Sequence, residues 1–152
     1  MKTKQKEIIV AVSGGFDPIH PGHIQLFREA KALGDKLVVI INNDNWLKAK
    51  KGHPFMSQKE RKIVIEALRD VDAVMVTEHK SSPKDMGVAK ELRLLQPDIF
   101  ANGGDRKKDN TPEGHVCSEL GIKMIFGIGK GGKIQSSSWL LGNYVDKVQK
   151  KK

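Results

Sequence analysis

Five short runs of uninterrupted apolar residues recur along this 152-residue chain, and each is followed by a stretch with helical spacing. The runs fall at residues 7–13, 36–42, 72–77, 98–101 and 122–126. Runs that are short and do not alternate with polar residues fit strands buried on both faces, the mark of a parallel sheet. Helices are expected between them. One spans 21–33, with Pro21 in its first turn and Gly34 as its cap. Another opens at the capping box Ser57-Gln58-Lys59-Glu60 and buries Ile63, Ile65, Ala67 and Leu68. The rest are expected at 83–95, at 111–120 (closed by Gly121) and at 137–148. The charged stretch 45–51 reads as a loop.

Strands that alternate with helices and connect by right-handed crossovers build a doubly wound, Rossmann-like α/β sandwich. The expected sheet is five-stranded and parallel, in the order 3-2-1-4-5, with helices on both faces and ligands at the carboxyl ends of the strands. No repeat or linker interrupts the pattern, so residues 1–152 are expected to form one domain. The longest apolar stretches, 8–12 and 37–41, are far too short to cross a bilayer. The charged residues 1–7 precede an apolar run broken at Ser13-Gly14-Gly15, unlike a secretory signal. A lone cysteine, Cys117, rules out an internal disulfide framework and a multi-cysteine zinc site. On a helix it is expected to pack rather than react. A cytoplasmic enzyme or binding protein is the expectation.

The net charge of +9 points to polyanionic partners. Lysines near the ends (Lys2, Lys4, Lys6, Lys147, Lys150, Lys151, Lys152) read as solvated tails. The interior cluster Lys48, Lys50 and Lys51 is more informative. One Tyr and two Trp are few for stacking the bases of a single strand, and no zinc-finger spacing is present. Phosphorylated metabolites are therefore favoured over nucleic acid and membrane.

The carboxyl end of the first strand carries Ser13-Gly14-Gly15-Phe16-Asp17-Pro18-Ile19-His20-Pro21-Gly22-His23. Gly14 and Gly15 let the backbone approach a ligand closely. His20 stands at the helix entrance and His23 lies three residues on, which puts both imidazoles on one face. A helix N-terminus already offers free N–H groups to a phosphate, and two imidazoles add donors that can follow developing charge. Helix capping or surface exposure is the ordinary alternative for such histidines, and a zinc pair lacks a third neighbouring ligand. The pairing on one face behind two glycines favours function. His53 and His115 stand outside every motif and are expected at the surface.

These residues resemble the HxGH signature of the cytidylyltransferase-like nucleotidyltransferase superfamily, and the resemblance covers nearly the whole chain. The pattern is nearest to heptose-phosphate adenylyltransferases and glycerol-3-phosphate cytidylyltransferases. Residues 36–42 with Asn43-Asp44 and the lysine cluster look like that family's second strand and substrate loop. Gln58-Lys59-Glu60-Arg61 with Val71-Asp72 is similar to its E-R helix and the strand that follows. Asn102-Gly103-Gly104-Asp105 resembles a K-G-G-D segment, and Ile134-Gln135-Ser136-Ser137-Ser138 stands where the family has G-I-S-T-T. The arginine-threonine pair that precedes the serines in glycerol-3-phosphate enzymes is replaced here by Gly131-Gly132, beside Lys130 and Lys133. That departure leans towards the heptose-phosphate type.

The resemblance implies in-line displacement, in which an acceptor phosphate attacks the α-phosphate of ATP or CTP and releases pyrophosphate. By it, His20 and His23 stabilise the pentacoordinate phosphorus. Gly15, Phe16 and Gly22 pass the phosphates along the loop, and Mg²⁺ arrives with the triphosphate. Asp17 anchors the loop or holds a metal-bound water. Lys48, a catalytic candidate, and Lys50 pair with the acceptor phosphate or the triphosphate, with a solvated basic loop as the plain alternative. Arg61 reaches the acceptor or pairs with a carboxylate on its own helix. Ser136, Ser137 and Ser138 meet the β- and γ-phosphates or cap the last helix. Gly103, Gly104 and Asp105 meet base and ribose or form a simple turn. His79 and Lys80 lie where acceptor contacts come in. The expected acceptor is a phosphorylated sugar or polyol. The alternatives are FMN or another cofactor precursor, or a protein that binds nucleotide or nucleic acid without catalysis. A homodimer is expected, because the strand near 71–76 forms an open apolar edge.

Overall fold

Alternating burial along the strands divides the core in two. In the computed structural model, which describes residues 3–104, 113–129 and 136–151, the strands are β1 (Ile9–Gly14), β2 (Lys36–Ile41), β3 (Ala73–Val76), β4 (Ile99–Gly103) and β5 (Lys123–Ile128). They form one sheet in the order β3-β2-β1-β4-β5. Every pairing is parallel, with Val10 opposite Leu37 and Ile99, Val39 opposite Val74, and Phe100 opposite Met124. Val10, Val12, Leu37, Val39 and Ile41 point to one face. There they meet Phe27 and Ala30 of α1 (Pro21–Lys31) and Ile65 of α3 (Gln58–Glu66). Ala11, Ile40 and Phe100 point to the other, against Leu92 of α4 (Ala89–Leu95) and Val116 and Cys117 of α5 (Gly114–Leu120). A residue's neighbours on its own strand face the opposite layer, so both layers are apolar and the strands read as unbroken runs.

Three expectations about elements need correction. Residues 44–51 are not a loop but helix α2 (Asp44–Lys51), capped by Asn43, whose side chain accepts the Trp46 N–H at 3.0 Å. Asp44 in its first turn and Lys48, Lys50 and Lys51 in its last complement the helix dipole. Helix α4 starts at Ala89 rather than 83, because side chains elsewhere capture the carbonyls of Met86 and Gly87. On α3, Ile65 is buried as expected, but Ile63 is 60% exposed, Ala67 is exposed as well, and Arg61, one turn before Ile65, is buried with it. Helix α6 (Ser137–Gln149) ends the described chain and has no fully buried residue. Among the described residues, no helix is long and apolar enough to cross a membrane.

Candidate active site at the carboxyl end of the sheet

The loop leaving β1 is shaped by packing on both sides. A Cβ at Gly14 would lie 2.8 Å from the Phe16 ring, and one at Gly15 would lie 3.1 Å from Leu47 of α2. Phe16 itself sits at φ +50°, a conformation that side-chain-bearing residues seldom adopt. Its ring meets the edge of His23 at 4.9 Å and that of Phe27 at 5.1 Å. Asp17 is buried, and its two carboxylate oxygens accept the N–H groups of Phe55 (2.6 Å) and Met56 (2.7 Å). Of its two expected roles, this arrangement serves the anchoring of a loop.

His20 is the N-cap of α1. Its Nδ1 accepts the Gly22 N–H at 3.1 Å, while Nδ1 of His23 accepts the His20 N–H at 3.2 Å. A nitrogen that accepts a backbone N–H carries no hydrogen of its own. In its neutral form each ring therefore carries its hydrogen on Nε2. The rings stack with centroids 3.7 Å apart and 26° between planes. His23 is pushed down to about 3, chiefly by burial and further by the neighbouring His20 and the Lys51 charge. It is thus a neutral hydrogen-bond donor at neutral pH.

Arg61 is 1% exposed, and its guanidinium ties this region together. Nη1 donates to the carbonyls of Gly15 (2.8 Å) and Asn42 (2.6 Å), Nε to Met56 O (3.0 Å), and Nη2 to Asp44 Oδ1 (2.9 Å). Its carboxylate partner stands on α2 and not on its own helix. Asp44 Oδ1 also accepts the Gln58 N–H, so α2, α3 and the glycine loop share one junction. Lys48, Lys50 and Lys51 are exposed beyond it, and the Lys50 ammonium stands 5.0 Å from the centre of the Trp46 ring.

From the other side, Ser137 Oγ donates to Pro18 O at 2.8 Å, which brings the start of α6 to the histidine loop. Ser136 is its buried N-cap and Ser138 is exposed. Gly103 ends β4 against Leu26 and Ile128, and Gly104 follows at φ +65°. Asp105, Lys130 to Lys133 and the Ile134-Gln135 pair lie outside the described residues. His79 has both ring nitrogens within hydrogen-bonding distance of protein atoms, and Lys80 is exposed. His53 and His115 are at the surface. Cys117 is buried, and burial with Glu113 nearby pushes its thiol up to about 11. Among the described residues, no three His, Cys, Asp or Glu side chains group as a metal site.

The reading from residues missed Arg61 as a junction and Asn43, Trp46 and Thr77 as supports. Asn43 before Asp44, with three lysines following, was a helix signal of its own.

Comparison with known proteins agrees with this geometry. Residues 11–126 match the family model described as cytidylyltransferase-like. An FAD synthase of Aciduliprofundum boonei is 36% identical over 115 residues, 76% of this chain and 73% of that protein. The bifunctional protein HldE of Gluconobacter oxydans is 34% identical over 119 residues, 77% of this chain but 24% of that longer protein. The crystal structure of a lipopolysaccharide core biosynthesis protein from Thermoplasma volcanium superposes with a TM-score of 0.66 at 28% identity, covering 80% of this chain and 96% of that one. A sheet in the order 3-2-1-4-5, two stacked histidines at the entrance of its first helix and these relatives agree: the chain belongs to the cytidylyltransferase-like family and is a nucleotidyltransferase.

Proposed function

We propose that the protein moves AMP from ATP onto the phosphate of a phosphorylated small molecule and releases pyrophosphate. The observation that carries this reading is the pair of Nε2–H donors fixed by backbone bonds at the entrance of α1, beside the start of α6. An acceptor phosphate oxygen attacks the α-phosphorus in line with the bridge to the β-phosphate. The new P–O bond forms as the bridge breaks, and pyrophosphate leaves with the electron pair. A phosphate dianion needs no base, so the protein's task is positioning and charge stabilisation. His20 and His23 donate to the α-phosphoryl oxygens as their charge grows. Gly15, Phe16 and Gly22 leave room for the triphosphate along the loop, and Ser136, Ser137 and Ser138 face its outer phosphates. Mg²⁺ enters as part of the Mg–ATP substrate. Gly103, Gly104 and Asp105 border base and ribose. Lys48 and Lys50 receive the acceptor phosphate, while Arg61 and Asp17 hold the loops and touch no substrate.

ATP is favoured over CTP because FAD is FMN joined to AMP, and HldE is a heptose-phosphate adenylyltransferase. A sugar or polyol phosphate is the first acceptor reading, on the strength of the exposed basic turn of α2. FMN is the second. It is favoured by the FAD synthase relative and by Phe55, which is 61% exposed while its backbone is pinned to Asp17. That ring offers a flat apolar surface which an aromatic acceptor uses and a sugar phosphate does not. This activity belongs in the cytoplasm, where ATP is abundant.

Pyrophosphate release should be measured across ATP, CTP, GTP and UTP with sugar phosphates, polyol phosphates and FMN. Turnover with ATP and one phosphorylated acceptor supports the reading, and no turnover with any pair rejects it. The Phe55→Ala change should raise KM for FMN and leave that for a sugar phosphate unchanged.

A further inference from the structure

The segment joining β3 to α4, residues 77–88, takes no part in the transfer step itself, yet it is tied down at both ends. Thr77, just past β3, is buried, and its Oγ1 accepts the Asn43 N–H at 3.0 Å. The same oxygen lies 2.8 Å from His79 Nδ1, and His79 Nε2 lies 2.9 Å from the carbonyl of Gly87. A carbonyl only accepts, so Nε2 carries the ring hydrogen. In the neutral ring Nδ1 is then bare and accepts a hydrogen bond from the Thr77 hydroxyl. The His79 carbonyl accepts from the side-chain amides of Asn43 and Asn45, both at 2.9 Å. At the far end, Trp46 Nε1 donates to Met86 O at 2.8 Å. The first turn of α2 thus holds both ends of the segment, and the His79 ring closes one end on the other.

We propose that His79 is a positioning residue for the acceptor, coupling the 79–87 segment to α2 so that Lys80 and Lys84 stand with Lys48 around one acceptor phosphate. This rests on the reading above, in which the lysines of α2 receive that phosphate. Lys80 and Lys84 are both exposed. A twelve-residue connection, 77–88, without regular structure would have to be ordered whenever acceptor bound. Bonds already made in the free protein remove that cost and appear as lower acceptor KM. The donor triphosphate, held by α1 and α6, gains nothing from them.

The test compares His79→Ala, His79→Gln and Asn45→Ala with the unchanged protein. ATP is the donor, and ribose 5-phosphate, glycerol 3-phosphate and FMN are the acceptors. His79→Ala should raise acceptor KM about tenfold while KM for ATP and kcat move less than about twofold. Trypsin should cut after Lys80 and Lys84 faster in that variant. His79→Gln, whose amide can still donate to Gly87 O, should restore both measures. Asn45→Ala, a milder change that removes one of two bonds to the His79 carbonyl, should shift acceptor KM in the same direction. An unmoved acceptor KM in both His79→Ala and Asn45→Ala overturns the proposal, as does an equal rise for ATP. If the unchanged protein turns over none of the three acceptors, the acceptor reading falls and this proposal with it. Turnover with an unmoved KM overturns the proposal alone.

Discussion

His23 accepts the backbone N–H of His20 through Nδ1 while its ring stacks on that of His20, so one residue caps, orients and crowds the other. The crowding has a consequence for stability. His23 binds a proton near pH 6.5 when unfolded and near 3 when folded. Between those values the unfolded chain binds more protons, so stability is full above pH 6.5 and falls as the pH drops. Across the step from pH 7 to 5 this group should cost about 2 kcal/mol. His23→Asn keeps an acceptor for the His20 N–H but does not titrate. Urea denaturation at both pH values should therefore show a smaller loss in the variant.

Lys48→Ala should raise acceptor KM more than KM for ATP. Lys50→Ala should do less, because the Lys50 ammonium stands over the Trp46 ring. Steady-state kinetics with each substrate varied in turn checks this. Equal effects on both substrates would reassign Lys48 to the triphosphate.

Arg61→Leu should destabilise the fold by about 3–5 kcal/mol, since it leaves the Asp44 carboxylate and the carbonyls of Gly15, Asn42 and Met56 without their donor. Arg61→Lys should recover little, because an ammonium cannot span four acceptors set by a planar fork. Thermal unfolding measures both. A surface role for Arg61 predicts almost no change.

Strand β3 lies at one edge of the sheet, as the order 3-2-1-4-5 requires, and its Val74 and Met75 are only partly covered. Pairing of two copies is the expected cover, opposed by the charge of +9. The dimer fraction should rise with ionic strength in sedimentation runs at low and moderate salt. A monomer at every salt and concentration rejects the dimer.

The parallel sheet and the histidine loop were legible because their signals are local. Buried strands declare themselves as apolar runs, and His20-Pro21-Gly22-His23 sits where the first run ends. What escaped depends on distant partners. Arg61 reads as an acceptor contact or the partner of a carboxylate on its own helix until Gly15, Asn42 and Asp44 are brought around it. Ile63 fits the apolar spacing of α3, yet the turn of the helix gives its place to Arg61. Asp17 had two roles in sequence, and the anchoring one depends on Phe55 and Met56, which reach its carboxylate from 38 and 39 residues away.

The most direct measurement is turnover of His20→Ala and His23→Ala with ATP and the acceptor found by pyrophosphate release, alongside calorimetric binding of ATP. If the two Nε2–H donors stabilise the α-phosphoryl group in the transition state, each change should cut kcat by about 10²–10³ while ATP affinity falls far less. Unchanged turnover in both variants would contradict the account.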